Sequence, residues 1–374
     1  MPHRVDVMID NMEVFSDFLV LHERDRGVPN INILNFESGD FHKILVGEVA
    51  RSISSGDNAD FYSKFYRYEY QSFVTPRSTF DYLVSSNTSS LLKQQEVGLD
   101  YDPQQYTVKI IEAKAKDGTL VPISIVYKTN LKRKVPQALV LSGYGAYGYS
   151  NDVYFSAARL SLLDRGVIFG ISHVRGGGEM GQVWHDQGRM LSKENTFTDF
   201  IVCADELCRL GYTSPSKMVI EGGSAGGLLI GAVINMRPDL CRGAVLQVPF
   251  VDVMNTMLDD KLPLTTGEYE EWGNPGQDIN YFETILGYSP YDQLKETFYP
   301  AMLVETSFND SQVMYWEPAK YVAKLRSLKQ DTANPLLLRT NMEAGHGGAS
   351  GRYDWFKEVA FTYSFILGVL GILN

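Results

Sequence analysis

From Pro136 onward the sequence is punctuated by short runs that are apolar from end to end: Ala138-Leu-Val-Leu141, Val167-Ile-Phe-Gly-Ile171, Met218-Val-Ile220, Ala244-Val-Leu-Gln-Val248, Met302-Leu-Val304 and Leu336-Leu-Leu338. A strand with alternating polar positions keeps one face in water, whereas a run without them has to be covered on both faces. Segments of helical pattern lie between the runs, among them Thr198 to Leu210, Gly226 to Met236 and Glu317 to Lys329. Buried strands alternating with helices predict an α/β domain built on a mainly parallel sheet.

The first 135 residues have a different texture. Phe18-Leu-Val-Leu-His22, Ile31-Asn-Ile-Leu-Asn-Phe36 and Phe80-Asp-Tyr-Leu-Val84 are short, strand-like and bounded by turn residues, as in antiparallel sheets. Thr107 to Ala115 and Leu120 to Tyr127 flank Asp117-Gly118, a hairpin signal, and this ribbon is expected to open the second domain. The expected division is therefore a β-rich segment over 1–98 and an α/β domain over 99–374. The C-terminal apolar stretch from Val359 to Leu373 is shorter than the roughly 18 residues of a spanning helix and is expected to pack on the core.

Charge and cysteine content narrow the function. A formal net charge of −11 argues against an overall basic nucleic-acid surface and favours encounter with cationic substrates. Cys203, Cys208 and Cys241 form no metal-type spacing and read as thiols in a reducing compartment. No secretory pattern opens the chain, so the expected location is cytoplasmic, with no membrane partner, metal or cofactor.

The run Met218-Val-Ile220 leads into Glu221-Gly-Gly-Ser-Ala-Gly-Gly-Leu-Leu229, and a helical pattern follows. Strand, Gly-x-Ser-x-Gly and helix together make a nucleophile elbow, a tight turn that lifts the hydroxyl above the sheet. Ser224 then needs a downstream histidine, and only His346, in Gly345-His-Gly-Gly348, is available. Among the intervening acids Asp310 is placed best, just beyond the strand around Met302 to Val304, with Asp252 as the alternative; Asp331 follows a helix and belongs to the opposite edge. The backbone N–H of Ala225 and a tyrosine of Gly143-Tyr-Gly-Ala-Tyr-Gly148 are candidate oxyanion donors. Gly176-Gly-Gly-Glu-Met-Gly181 fits Gly-x-Gly-x-x-Gly, but Asp199 falls at a helix start where a dinucleotide site needs a strand-end acid, so a structural loop is the better reading.

Taken jointly, Arg175-Gly-Gly-Gly-Glu179, Gly222-Gly-Ser-Ala-Gly-Gly227, Asn309-Asp-Ser-Gln-Val313 with Tyr315-Trp-Glu-Pro-Ala-Lys320, Gly345-His-Gly-Gly348 and Leu264-Thr-Thr-Gly-Glu-Tyr-Glu-Glu-Trp-Gly-Asn-Pro275 resemble the prolyl oligopeptidase family, in its oligopeptidase B branch. The resemblance implies an α/β-hydrolase domain preceded by an incomplete β-propeller, with one or two blades in place of seven. It implies a serine oligopeptidase cutting short peptides after arginine or lysine, with Ser224 as nucleophile, His346 as base and Asp310 as orienting acid. It further implies Tyr144 and Ala225 as the oxyanion hole, Glu268 and Glu270 as receivers of the basic side chain, and Asp152 at a neighbouring subsite. Asn309, Ser142 and Tyr154 depart from the branch pattern, and Tyr154 replaces the acid expected to partner Asp152. The competing expectations are a carboxylesterase using the same three residues and an inactive short form acting as an interaction protein.

Overall fold

The computed structural model describes residues 4, 7–98, 100–131 and 135–372. Among the described residues, eight strands come first. β1 (Val7–Val14), β2 (Phe18–Asp25), β3 (Val28–Asn35) and β4 (Phe41–Lys43) form one antiparallel sheet in that order. A second consists of β5 (Arg51–Ser55), β6 (Phe65–Ser72), β7 (Ser78–Leu83) and β8 (Thr88–Gln94). In β6 the alternation is strict: Tyr66, Tyr68 and Tyr70 are buried while Phe65, Arg67 and Glu69 are not. These tyrosines share a core with Phe18, Val20, Ile31 and Ile33 of the first sheet, so the two sheets stack face to face.

An 8-stranded mixed sheet follows. β9 (Tyr106–Lys114) and β10 (Leu120–Lys128) are joined at Asp117-Gly118, where Gly118 has φ 91°. The ribbon does not stand apart: β10 pairs antiparallel with β12 (Ile168–Ser172) and so extends the central sheet. β11 (Leu139–Gly143), β12, β13 (Met218–Gly223), β14 (Gly243–Gln247), β15 (Ala301–Ser307) and β16 (Leu336–Asn341) run parallel. The helices are α1 (Ala157–Leu163), α2 (Gln182–Asp186), α3 (Glu194–Arg209), α4 (Ala225–Met236), α5 (Val253–Leu258), α6 (Thr265–Trp272), α7 (Ile279–Tyr288), α8 (Trp316–Leu328) and α9 (Arg352–Leu370).

The apolar runs are buried on both sides as their composition demands. Leu139, Leu141, Met218, Ile220, Met302 and Val304 face one core with side chains of α3, α4 and α8, and Val140, Val219 and Leu303 face the other with α1 and α9. The terminal helix begins at Arg352, ahead of its apolar stretch; Leu373 lies outside the described residues. No helix among the described residues is long and apolar enough to cross a membrane. The expected 98/99 division abuts residue 99, which is also outside them.

The second antiparallel sheet docks on the back of the mixed one. Phe73 meets Phe169 edge to face at 6.0 Å, and the guanidinium of buried Arg159 lies over both rings. The first sheet is tied down by Arg24, whose fork donates to both oxygens of Asp152 at 2.7 Å while its Nε reaches Asp10 at 2.8 Å.

Candidate active site

β13 ends in Gly222-Gly223, and Ser224 stands between strand and α4 with φ 56° and ψ −118°. A side chain is seldom held in that region, and the surroundings must over-determine it. They do so through backbone bonds: Ser224 N–H donates to Gln247 O at 2.8 Å, and its carbonyl accepts from Gly227, Leu228 and Phe250. The flanking glycines are a matter of space. A Cβ on Gly222 would lie 2.3 Å from Gly226 O, one on Gly226 2.6 Å from Gly143 O, and one on Gly227 2.4 Å from Pro249 Cβ. Gly223 is different, since its nearest neighbour would be 3.5 Å away.

Two strands further along, the chain beyond β15 turns through Asp310, whose side chain is fully buried. Its Oδ1 accepts the N–H groups of Gln312 and Val313 at 2.9 and 3.0 Å, and Oδ2 accepts from His346 Nδ1 at 2.7 Å. That acceptor fixes the imidazole with Nδ1 protonated, which leaves Nε2 with its lone pair. The loop beyond β16 that carries His346 is braced by Asn341, which accepts from the N–H of Glu343 and Ala344, and by Glu358, which accepts from Ala349 N–H. The other acids are engaged elsewhere. Asp252 is buried against Lys320, and Asp331 pairs with Lys329 at 2.8 Å.

Ser224 and Ala225 open onto a cavity of about 260 Å³ with Tyr144, Tyr147, Phe250, Glu268 and Glu317 among its walls. The N–H of Ala225 belongs to the first turn of α4, where amide donors have no intrahelical acceptor. Tyr144 follows directly on β11; burial first, then Glu268 and Glu271, push its phenol up to about 12, so it stays a donor at neutral pH. The Gly176 to Gly178 loop backs this segment, with Gly148 N–H on Gly176 O at 3.0 Å, and Asp199 is the buried partner of Arg175. A structural loop is what the glycine pattern forms.

The acidic wall differs from the sequence reading. Glu268 lines the cavity, its Oε2 accepting from Tyr147 Oη and Trp272 Nε1, both at 2.6 Å. Glu270 does not line it: two residues further along α6 it points another way and is exposed, because residues i and i+2 of a helix do not share a face. The structure likewise takes Asp152 away from this cavity, since Arg24 occupies its carboxylate at a separate cleft. Two carboxylates that the sequence reading missed stand in the site region. Glu317, in the wall, accepts from Thr256 Oγ1 at 2.7 Å and from Asp252 N–H at 3.1 Å, and burial pushes it up to about 7. Glu271, buried behind Tyr147, accepts from Tyr147 N–H at 3.0 Å and from His185 Nε2 at 2.6 Å. The helices α5 and α6 that carry much of this wall are hard to read from sequence, because at 6 and 8 residues they are too short to show a helical period.

Among the described residues no group of three or more histidines, cysteines and carboxylates is arranged to hold a metal. The strained serine and its neighbouring donors share one cavity, while the carboxylate-bound imidazole stands outside the lining of that cavity, on the loop beyond β16.

Residues 153–372 match the profile of the prolyl oligopeptidase family, and residues 1–95 match that of the prolyl oligopeptidase N-terminal β-propeller domain. The chain is 44% identical to dipeptidyl aminopeptidase BI of Pseudoxanthomonas mexicana, over 100% of this chain and 51% of that protein. It is 41% identical to protease 2 of Moraxella lacunata, over 97% of this chain and 52% of the relative. Its fold is similar to oligopeptidase B from Leishmania major, with TM-score 0.94, 40% identity and coverage of 99% and 53%. Oligopeptidase B from Trypanosoma brucei with covalently bound antipain gives TM-score 0.95, 40% identity and coverage of 100% and 54%. The chain thus spans about half the length of the relatives it matches.

Proposed function

The chain belongs to the prolyl oligopeptidase family of serine peptidases, and on that premise we propose that it hydrolyses short peptides after arginine or lysine through an acyl-enzyme on Ser224. In this reading His346 Nε2 takes the hydroxyl proton as Ser224 Oγ attacks the scissile carbonyl, and later returns it to the leaving amine. Asp310 holds the imidazole in the required tautomer and stabilises the imidazolium. Tyr144 Oη and Ala225 N–H receive the developing oxyanion. Water activated by His346 then releases the acyl group. Glu268 accepts the basic side chain; the expectation that Glu270 shares this task gains no support from its exposed position.

The observation that carries the reading is that one cavity contains both Ser224 and a carboxylate, Glu268, already held by two donors. A partly buried carboxylate fixed in this way is a natural acceptor for a guanidinium or ammonium group. The test compares an arginyl with an alanyl peptide amide on the 374-residue chain. Turnover should favour arginine, Ser224→Ala should lower it by ~10⁶-fold, and Glu268→Gln should lower the arginyl rate by about 10–100-fold, the scale of a hydrogen bond to a charged group. Turnover that survives Ser224→Ala rejects the nucleophile, and equal rates for the two substrates reject the basic specificity.

The name of the 44%-identical relative favours a second reading, removal of dipeptides from a free amino terminus. Blocking the substrate's amino group should leave an endopeptidase active and silence a dipeptidyl peptidase.

A further inference from the structure

Glu271 is next to the substrate-facing wall but does not belong to it. It is 5% exposed, outside the lining of the cavity, and both of its oxygens are engaged, Oε1 by Tyr147 N–H and Oε2 by His185 Nε2. A carboxylate so buried and so fully used cannot itself receive a substrate cation. What it holds, however, is the residue that holds Glu268. Tyr147 sits at φ 59°, a conformation a tyrosine keeps only under restraint, and its hydroxyl donates to Glu268 Oε2 at 2.6 Å. Trp272 Nε1 donates to the same oxygen, and among the described residues no donor reaches the second oxygen of Glu268, which can accept from a substrate.

We propose that Glu271 is a positioning residue for recognition of the basic side chain: by gripping the Tyr147 amide it keeps the Tyr147 hydroxyl on Glu268. The inference rests on the basic-residue reading above and adds the device that orients its carboxylate. His185 closes the relay from behind, and Lys193, which donates to Gly145 O at 2.6 Å and lies 4.9 Å from the Trp272 ring centre, steadies the same loop and the same indole. A buried carboxylate used only to join α2 to α6 would affect every substrate alike. One that acts through Tyr147 and Glu268 acts on cationic substrates selectively.

The experiment measures kcat and KM for arginyl and alanyl peptide amides with the wild-type chain, Glu271→Ala, Tyr147→Phe and the double variant. Glu271→Ala and Tyr147→Phe should each lower the arginyl-to-alanyl ratio of kcat/KM roughly tenfold, chiefly through the arginyl KM. The double variant should be no worse than the more affected single one, since both break one relay. Glu271→Gln, whose amide oxygen still accepts the Tyr147 N–H, should keep most of the ratio. Should Glu271→Ala fail to fold, Glu271→Asp, too short to reach both partners, should show the same selective loss. Equal losses on both substrates, an unchanged ratio, or additive effects in the double variant overturn the relay. A wild-type chain that does not favour arginine overturns the basic-residue reading and the relay with it, whereas arginine preference with an unchanged ratio in the Glu271 variants overturns the relay alone.

Discussion

Glu317 shows how a single buried carboxyl ties stability to pH. Burial raises it to about 7, opposed by the hydrogen bonds from Thr256 and from Asp252 N–H, because ionisation in a site cut off from water is costly. The Thr256 hydroxyl can reverse and accept the carboxyl proton, so the neutral form keeps a partner. The folded chain therefore holds this proton to a higher pH than the unfolded chain, which releases it near the ordinary glutamate value of about 4.3. Stability from this group is fully present below that value and is lost as pH rises through about 7. In urea unfolding, Glu317→Gln should gain on the wild type between pH 4.5 and pH 8, by up to about 3 kcal/mol. A constant difference across that range would show that Glu317 is ionised throughout.

At the scale of the element, the turn from β13 to α4 explains why a serine stands between two pairs of glycines. Three of the four glycines are required by close approach: Gly222 to the carbonyl of Gly226, Gly226 to that of Gly143, and Gly227 to Pro249. Gly226→Ala should push β11 and the Tyr144 loop away from Ser224, costing roughly 1–3 kcal/mol and slowing fluorophosphonate labelling of the serine. Gly223→Ala, which meets only ordinary contacts, should shift thermal stability by no more than about 0.5 kcal/mol. If both alanines cost the same, crowding is not the reason for the pattern. The elbow was legible because a strand, a turn and a helix are local, and Asp310 was preferred to Asp331 because strand ends and helix ends lie on opposite edges of such a sheet. Glu271 was not legible. Its partner Tyr147 is 124 residues away, and no property of Thr265-Thr-Gly-Glu-Tyr-Glu-Glu-Trp272 distinguishes a buried glutamate from its exposed neighbour Glu270.

At the scale of the molecule, the two antiparallel sheets and the mixed sheet are joined by an aromatic contact at Phe73 and an ionic one at Arg24. Arg24 is mostly enclosed, with 11% of its side chain exposed, and it brings Asp10 and Asp152 together. Removing it leaves two carboxylates facing each other with reduced access to water, which is worse than losing a surface ion pair. Arg24→Ala should accelerate amide hydrogen exchange in β1 to β3 by an amount equivalent to roughly 1–3 kcal/mol while β13 to β15 keep their protection. Uniform acceleration would mean that the sheets open as one unit. The same contact engages the carboxylate of Asp152, an acid that resembles a substrate receiver in sequence, with an arginine 128 residues away.

The order of apolar runs, the glycine-flanked serine and the placement of one histidine and one acid after strand ends were determined by the sequence alone, because burial on two faces, tight turns and chain direction are properties of neighbouring residues. Which glutamate lines the cavity, which are buried as supports, and which aspartate is already paired were decided only by the tertiary structure. Those outcomes depend on desolvation and on partners brought from distant segments, and the charge of a side chain does not by itself reveal what will stand beside it.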